Sequence, residues 1–522
     1  MISILAFILM LGAVIFIHEL GHFVMAKRAG ILCHEFAIGM GPILYSKKKG
    51  ETTYSLRAIP IGGFVMMAGE EVNDELVKVD QEVRLLFDEQ GKVTHIVLDA
   101  LDPRYQDALL VRVSLVDLKG KDNQALYLNE YEVNRDAYYV MKNKELQIAP
   151  YERSFESKTL LERFLTIFMG PFMNFLLALV LFFVIALMRG LPQMTSSEIG
   201  SVPIISDEIK ADPDVYNRYL NSNLFNHFEV GDEILSIAGE DVSDFRDVNR
   251  LLNKHAGNRN LDIVINRNGT EMTKTVTPIV YIYSIGVHST FSDPEGLMLN
   301  VLANFPAYEA GLRTGDKIVS IDGNSVSDWA SVLALFEANK EGSSMVIQVE
   351  RDGTLQSVMT VNPFDENFLS GQRIDFIRAD LGIGPVHERQ FFASFGYGFS
   401  MVIGTITMIF ATLGSLFSGT ISVNMLAGPV GIASMTADAV AAGLIVFLSW
   451  SAMLSINLGI INLLPIPALD GGRLVFLGYE AVARRPVNKR VENTLHFVMF
   501  ILLIALFVYI TFNDITRLFT SS

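Results

Sequence analysis

The sequence predicts a polytopic α-helical membrane protein of about four transmembrane helices. To these it adds a membrane-associated β-hairpin, a small cytoplasmic β-rich module and two tandem copies of one extracytoplasmic domain. Three observations carry this reading. Half of the 522 residues are hydrophobic, more than a water-soluble chain of this length needs. Apolar runs over residues 2–26, 160–188, 441–464 and 494–512 each reach the roughly 20 residues that cross a bilayer as helix. Between the second and third runs, one stretch of sequence recurs almost position by position.

Composition narrows the function classes. A formal charge of −16 disfavours nucleic acid or anionic lipid as the main partner. Cys33 is the single cysteine, so an internal disulfide and thiolate metal sites are excluded, and any metal must be held by His and carboxylates.

Residues 1–26 form the first span. Lys27 and Arg28 follow it, no basic residue precedes it and no small-residue cleavage site ends it, so it reads as a retained helix with its N-terminus outside rather than a cleaved signal. Residues 27–159 lie on the cytoplasmic side. In "YSLRAIPIGGFVMMAGE" the alternation and the central Gly62 and Gly63 read as a β-hairpin whose apolar tip touches the membrane. Short β-like runs, "HIVLDAL" and "ALLVRVSLVDL", then make the small β-rich module.

Residues 160–189 are the second span, returning the chain to the outside. There "VGDEILSIAGEDVSDF" matches "TGDKIVSIDGNSVSDW", and "RNGT" matches "RDGT" at the same offset, so two copies of one domain follow each other over residues 190–284 and 285–366. Each copy, with its Gly-Asp turn, short helix and closing strand pair, resembles a PDZ domain. The second carries the lead-in "FPAYEAGL"; the first has "NSNLFNHFEVGDEIL" instead, leaving its groove in doubt. PDZ grooves take extended peptide as an added strand, which points to a protein or peptide partner, with spacer domains as the alternative.

Residues 367–440 read as linker and interfacial helices. Within them, residues 391–417 are long enough to span but rich in Gly, Ser and Thr. Topology decides: if residues 441–472 return directly as the third span, Arg484, Arg485, Lys489 and Arg490 fall inside, with residues 473–493 as a cytoplasmic loop and 494–516 as the fourth span. A crossing by residues 391–417 would put that basic cluster outside, so this stretch is expected along the outer interface or re-entrant.

The chemistry sits in "FIHELGHFVMAKR". His18 and His22, four apart, share one helix face and can hold one metal ion, and Glu19 can reach a water beside it. Ionisable groups inside a membrane helix are costly and normally functional. A catalytic zinc usually takes three protein ligands, and the best third is Asp470 in "INLLPIPALDGGR", where prolines break the helix and glycines admit close backbone. The plainer alternative is a turn aspartate capping the next helix.

Together "HELGH", "GPFMN", two PDZ-like units, "NLLPIPALDGG" and "FNDITRL" resemble the site-2 proteases, intramembrane zinc metalloproteases of the regulator-of-sigma-factor (RseP/RasP) type. The module ending in "QIAPYERSF" looks more like the Gram-positive branch, whereas two PDZ-like units are more typical of the other. The resemblance implies a bacterial inner-membrane protein that cleaves transmembrane segments of single-pass membrane proteins, such as an anti-sigma factor already trimmed outside, or remnant signal peptides. By the same resemblance His18, His22 and Asp470 match zinc ligands and Glu19 the catalytic base. Asn457 and Asn462 match polar positions near the substrate. Gly62, Gly63 and Phe64 belong to the hairpin thought to pair with unwound substrate. Competing readings are a metal sensor or transporter, which would need more ionisable residues along the other spans, and an inactive scaffold, which would not need Glu19.

Overall fold

The computed structural model describes all residues except 1, 71–75, 122–123, 143, 203–226, 259, 290–296, 303–304, 357–358, 372–373, 419–426 and 521–522. The chain forms two compact units, Met1–Phe182 with Ala427–Ser522, and Phe183–Leu426.

In the first unit, helix α1 (Ile2–Arg28) leads into a long strand pair, β1 (Cys33–Lys49) and β2 (Thr52–Met67). The reversal between them is at Gly50 and Glu51, with Gly50 at a φ of +62°. This corrects the expectation that Gly62 and Gly63 form the turn: both lie inside β2. The pair also doubles over, because Phe36, Ala37 and Ile38 of β1 face Tyr54, Ser55 and Leu56 in one part of β2 and Val65, Phe64 and Gly63 in another. Gly63 serves close approach instead. A Cβ there would lie 2.9 Å from the Ala37 carbonyl oxygen and 2.9 Å from Cγ of Glu19. The turn is pinned by the Glu51 carboxylate, which pairs with Lys27 at the end of α1 and with Arg153 at 2.5 Å.

A seven-stranded sheet follows over residues 82–147, antiparallel except where Val93–Val97 runs parallel to Tyr131–Met141. Its core is the alternating buried set Val83, Leu85, Ile96, Leu126, Leu128 and Val133, as a half-buried sheet requires. Helix α2 (Leu160–Arg189) starts in this unit, and Pro429–Ala441, Leu444–Leu463, Asp470–Ala483 and Lys489–Thr520 complete it. Asp514 on the last of these accepts from the Gly428 and Gly431 amides, at 3.2 and 2.8 Å, capping the Pro429–Ala441 helix.

Among the described residues, five helices are long and apolar enough to cross a membrane: α1, α2, Phe391–Phe417, Leu444–Leu463 and Lys489–Thr516. That is one more than the four spans expected. The ambiguous stretch is one continuous helix of 27 residues.

The second unit contains the repeat. Glu233–Ile237, Phe245–Lys254 and Leu261–Arg267 return as Lys317–Ile321, Trp329–Ala338 and Met345–Arg351, each 84 residues on (317 − 233, 329 − 245, 345 − 261). Each copy buries one ion pair. Arg267 grips Asp232 at 2.7 and 2.8 Å, and Arg351 grips Asp316 at 2.5 and 2.8 Å. One continuous core, including Ile234, Phe245, Leu251, Ile318, Trp329 and Phe336, runs through both copies. A further sheet pairs Ile279–Ile282 with Ile377–Asp380, so the boundaries drawn at residues 284 and 366 fall among strands of one sheet. The first copy's lead-in, residues 221–226, lies outside the described residues.

Candidate active site

Four residues apart on α1, His18 and His22 face the same way, and both are buried. Helix α2 packs there through two glycines. A Cβ on Gly21 would collide with the Met169 carbonyl, and one on Gly170 would collide with the His22 ring. Alanine at either position would drive the helices apart and tilt the imidazole.

Helix α2 also sets the protonation of both rings. The Thr166 carbonyl lies 2.8 Å from Nδ1 of His22. A carbonyl can only accept, so Nδ1 carries the proton and Nε2 presents a lone pair. The Asn174 amide lies 3.2 Å from Nδ1 of His18, and Asn174 Oδ1 is otherwise a buried oxygen without a partner. Turned so that Oδ1 accepts from Nδ1–H, the amide satisfies that oxygen and leaves Nε2 of His18 with its lone pair as well.

Asp470 opens the Asp470–Ala483 helix and brings its carboxylate to the two rings. The three atoms His18 Nε2, His22 Nε2 and Asp470 Oδ2 form a triangle with edges of 3.2, 3.2 and 3.4 Å. A tetrahedral ion bound at about 2.0–2.1 Å has ligand atoms about 3.3–3.4 Å apart, so the triangle has the size of one face of such a site. Two lone pairs and a carboxylate at this spacing repel one another unless a cation lies between them. Among the described residues, this is the one group of three or more His, Cys, Asp or Glu that could hold a metal ion.

The triangle forms part of the wall of a cavity of about 770 Å³. Glu19 lines it beside the two histidines, and Gly62, Gly63 and Phe64 line it from β2. Phe64 stacks under the Arg57 guanidinium, whose centre is 4.9 Å from the ring centroid. Asn462 lines the same cavity, with Nδ2 3.5 Å from Nε2 of His18. Asn457 is five residues earlier on the same helix and is not among the lining residues, because five residues turn a helix face by well over a right angle.

Several contributors were not singled out from the sequence. Thr166, Gly170 and Asn174 come from α2; "GPFMN" contains Gly170 and Asn174, and nothing in the sequence marks Thr166. Arg473, three residues past Asp470, pairs with Glu70 just after β2, and both line the cavity.

The profile of Peptidase family M50 matches residues 6–506. The zinc metalloprotease RasP of Geobacillus kaustophilus is 35% identical, with 99% of this chain and 98% of that protein covered. RasP of Bacillus licheniformis is 34% identical over 99% of both chains. RasP of Oceanobacillus iheyensis is 32% identical over 99% of this chain and all of its own length. The match runs nearly end to end and includes the helix of His18 and His22, the hairpin, both repeats and the loop of Asp470. The chain belongs to peptidase family M50.

Proposed function

We propose that the chain is a site-2-type zinc endopeptidase that cleaves transmembrane segments of single-pass membrane proteins after their outer domains have been trimmed. The observation that carries it is the His18, His22 and Asp470 triangle, sized for one tetrahedral ion, with Glu19 beside it in a cavity bordered by a strand. Bound there, zinc supplies a Lewis acid for the scissile carbonyl and makes a nucleophile of water at neutral pH.

The chain's own residues do the rest. The Glu19 carboxylate takes a proton from the attacking water and returns it to the leaving amide nitrogen as the C–N bond breaks. Thr166 and Asn174 keep the two imidazoles oriented and in one tautomer. A helical substrate hides its peptide bonds in its own hydrogen bonds and must unwind before attack. The segment of β2 from Gly63 to Met67 pairs with β1 and lines the cavity, so it offers an extended template for the unwound strand. Asn462 lines the cavity, where its amide would hydrogen-bond the substrate backbone.

In this reading the protein sits in a bacterial cytoplasmic membrane with four crossing helices, and Phe391–Phe417 lies at the outer interface. The two PDZ-like units are outside, where they screen or hold trimmed substrates, and Asp470 meets α1 toward the cytoplasmic side. Substrates of this class include anti-sigma factors and remnant signal peptides. Mass spectrometry of products from the purified protein with a single-pass substrate tests it. Wild type should cut within the membrane segment, and Glu19→Gln should lower the rate by about 10²–10⁴-fold. Equal cleavage by both would remove Glu19 from the mechanism.

A further inference from the structure

The loop that delivers Asp470 is confined. Ala468, two residues earlier, has a φ of +82°, a left-handed conformation that a residue with a Cβ adopts only at a cost. The next turn cannot relax to relieve it, because side-chain carbons at Gly471 or Gly472 would run into the carbonyls of Leu463, Leu464 and Ile466. A loop held this way needs an external hold.

His496 supplies one. The Ala468 amide N–H donates to Nδ1 of His496 at 2.8 Å, across 28 residues of sequence. An Nδ1 that accepts leaves the ring proton on Nε2, which lies 3.9 Å from a Glu492 carboxylate oxygen one turn back on the same helix. The ring also packs on Phe476, with centroids 5.6 Å apart. Its neighbours Phe497, Val498, Phe500 and Ile501 are exposed and apolar, as suits a helix that faces lipid. An imidazole on such a helix is costly, and here its acceptor nitrogen is spent on the backbone beside a candidate metal ligand.

We infer that His496 is a positioning residue for Asp470: from the last helix, its imidazole fixes the Ala468 backbone and thereby the place of the carboxylate in the triangle. The inference rests on reading His18, His22 and Asp470 as metal ligands. It does not make His496 a ligand or a proton carrier.

Two variants of the full-length protein in detergent separate the acceptor from the packing. His496→Phe keeps a ring against Phe476 and loses the acceptor. His496→Asn loses the ring and keeps an oxygen near the position of Nδ1. The readout is the rate at which bound zinc is lost to a chelator, followed by kcat and KM on a membrane substrate. Lost support of a metal ligand weakens metal binding by about 10–100-fold, so the Phe variant should lose zinc faster by about that factor, with kcat reduced and KM unchanged. The Asn variant should recover most of the difference. If His496→Phe does not fold, His496→Leu reads the same term.

Zinc retention by the Phe or Leu variant equal to wild type would overturn the inference, as would an Asn variant impaired as much as Phe. Failure of the underlying reading looks different: wild type itself would hold no zinc that Asp470→Asn removes.

Discussion

The two units solve the same electrostatic problem differently. In the repeats, Asp232 and Asp316 are each about 1% exposed, and each receives a two-pronged guanidinium from an arginine 35 residues later. In the other unit, Asp470 is also withdrawn from water, with its side chain 19% exposed, but its nearest partners are two imidazoles whose free nitrogens carry lone pairs. Buried carboxylates need a counter-charge. The repeats take theirs from the chain, and a repeat can be copied with its pair intact. In the proposed reading the Asp470 site takes that charge from an ion, and such a site is open to chemistry because the cation is not already saturated by protein.

The sharpest way to break this comparison is to remove each carboxylate's charge. Asp470→Asn should abolish stoichiometric zinc and with it cleavage, measured by metal analysis of the purified protein, while the fold persists because no chain cation is stranded. Asp316→Ala should do the reverse. It removes the buried acceptor of the half-exposed Arg351 guanidinium and of the Arg313 amide, and should destabilise the second unit by about 1–3 kcal/mol, read from denaturant unfolding, with zinc content unchanged. If Asp316→Ala instead stripped zinc at full stability, the two aspartates would not divide the roles in this way.

What could be read from the sequence follows the same division. The repeat was legible because its central strand, helix and strand recur at one offset of 84 residues, and the pairs Asp232 with Arg267 and Asp316 with Arg351 keep a separation of 35. His18 and His22 were legible because a helix converts a spacing of four into a shared face. Asp470 could be matched to them only through its unusual setting of prolines and glycines, since nothing local records that residues 448 positions apart in sequence (470 − 22) meet. Thr166 was hidden for the same reason, and the motif that contains Asn174 did not reveal its role, because both roles depend on which face of α2 packs on α1. Gly62 and Gly63 were misread as a turn because a glycine pair signals either a reversal or a close approach. The Glu19 stem that demands close approach comes from a different element.

That last point gives a smaller effect. Gly63→Ala would press a methyl between the Ala37 carbonyl and the Glu19 Cγ, each 2.9 Å away, shifting the base relative to the strand without touching the histidines. A displacement approaching 1 Å costs up to about 100-fold in rate. Cleavage should therefore fall by about 10–100-fold with zinc content intact, distinguishing geometry from charge in a single metal and rate measurement. Unchanged cleavage would detach Glu19 from the hairpin.

The smallest effect lies in the pH dependence of the repeats. Burial pushes the Asp232 carboxyl up, but the Arg267 hydrogen bonds, the Glu229 amide and the Arg267 charge outweigh it and leave the group below its ordinary value of 3.8. A carboxyl depressed by folding contributes stability that is complete above its unfolded value and is lost as pH falls through the folded one. The contribution is therefore present at neutral pH and fades only below about pH 4. Melting of the isosteric Asp232→Asn variant, followed from pH 7 down to pH 3, should lie below that of wild type at neutral pH and converge toward it in acid. A parallel offset for Asp232→Asn at every pH would mean that the repeat's pair stabilises through packing rather than charge.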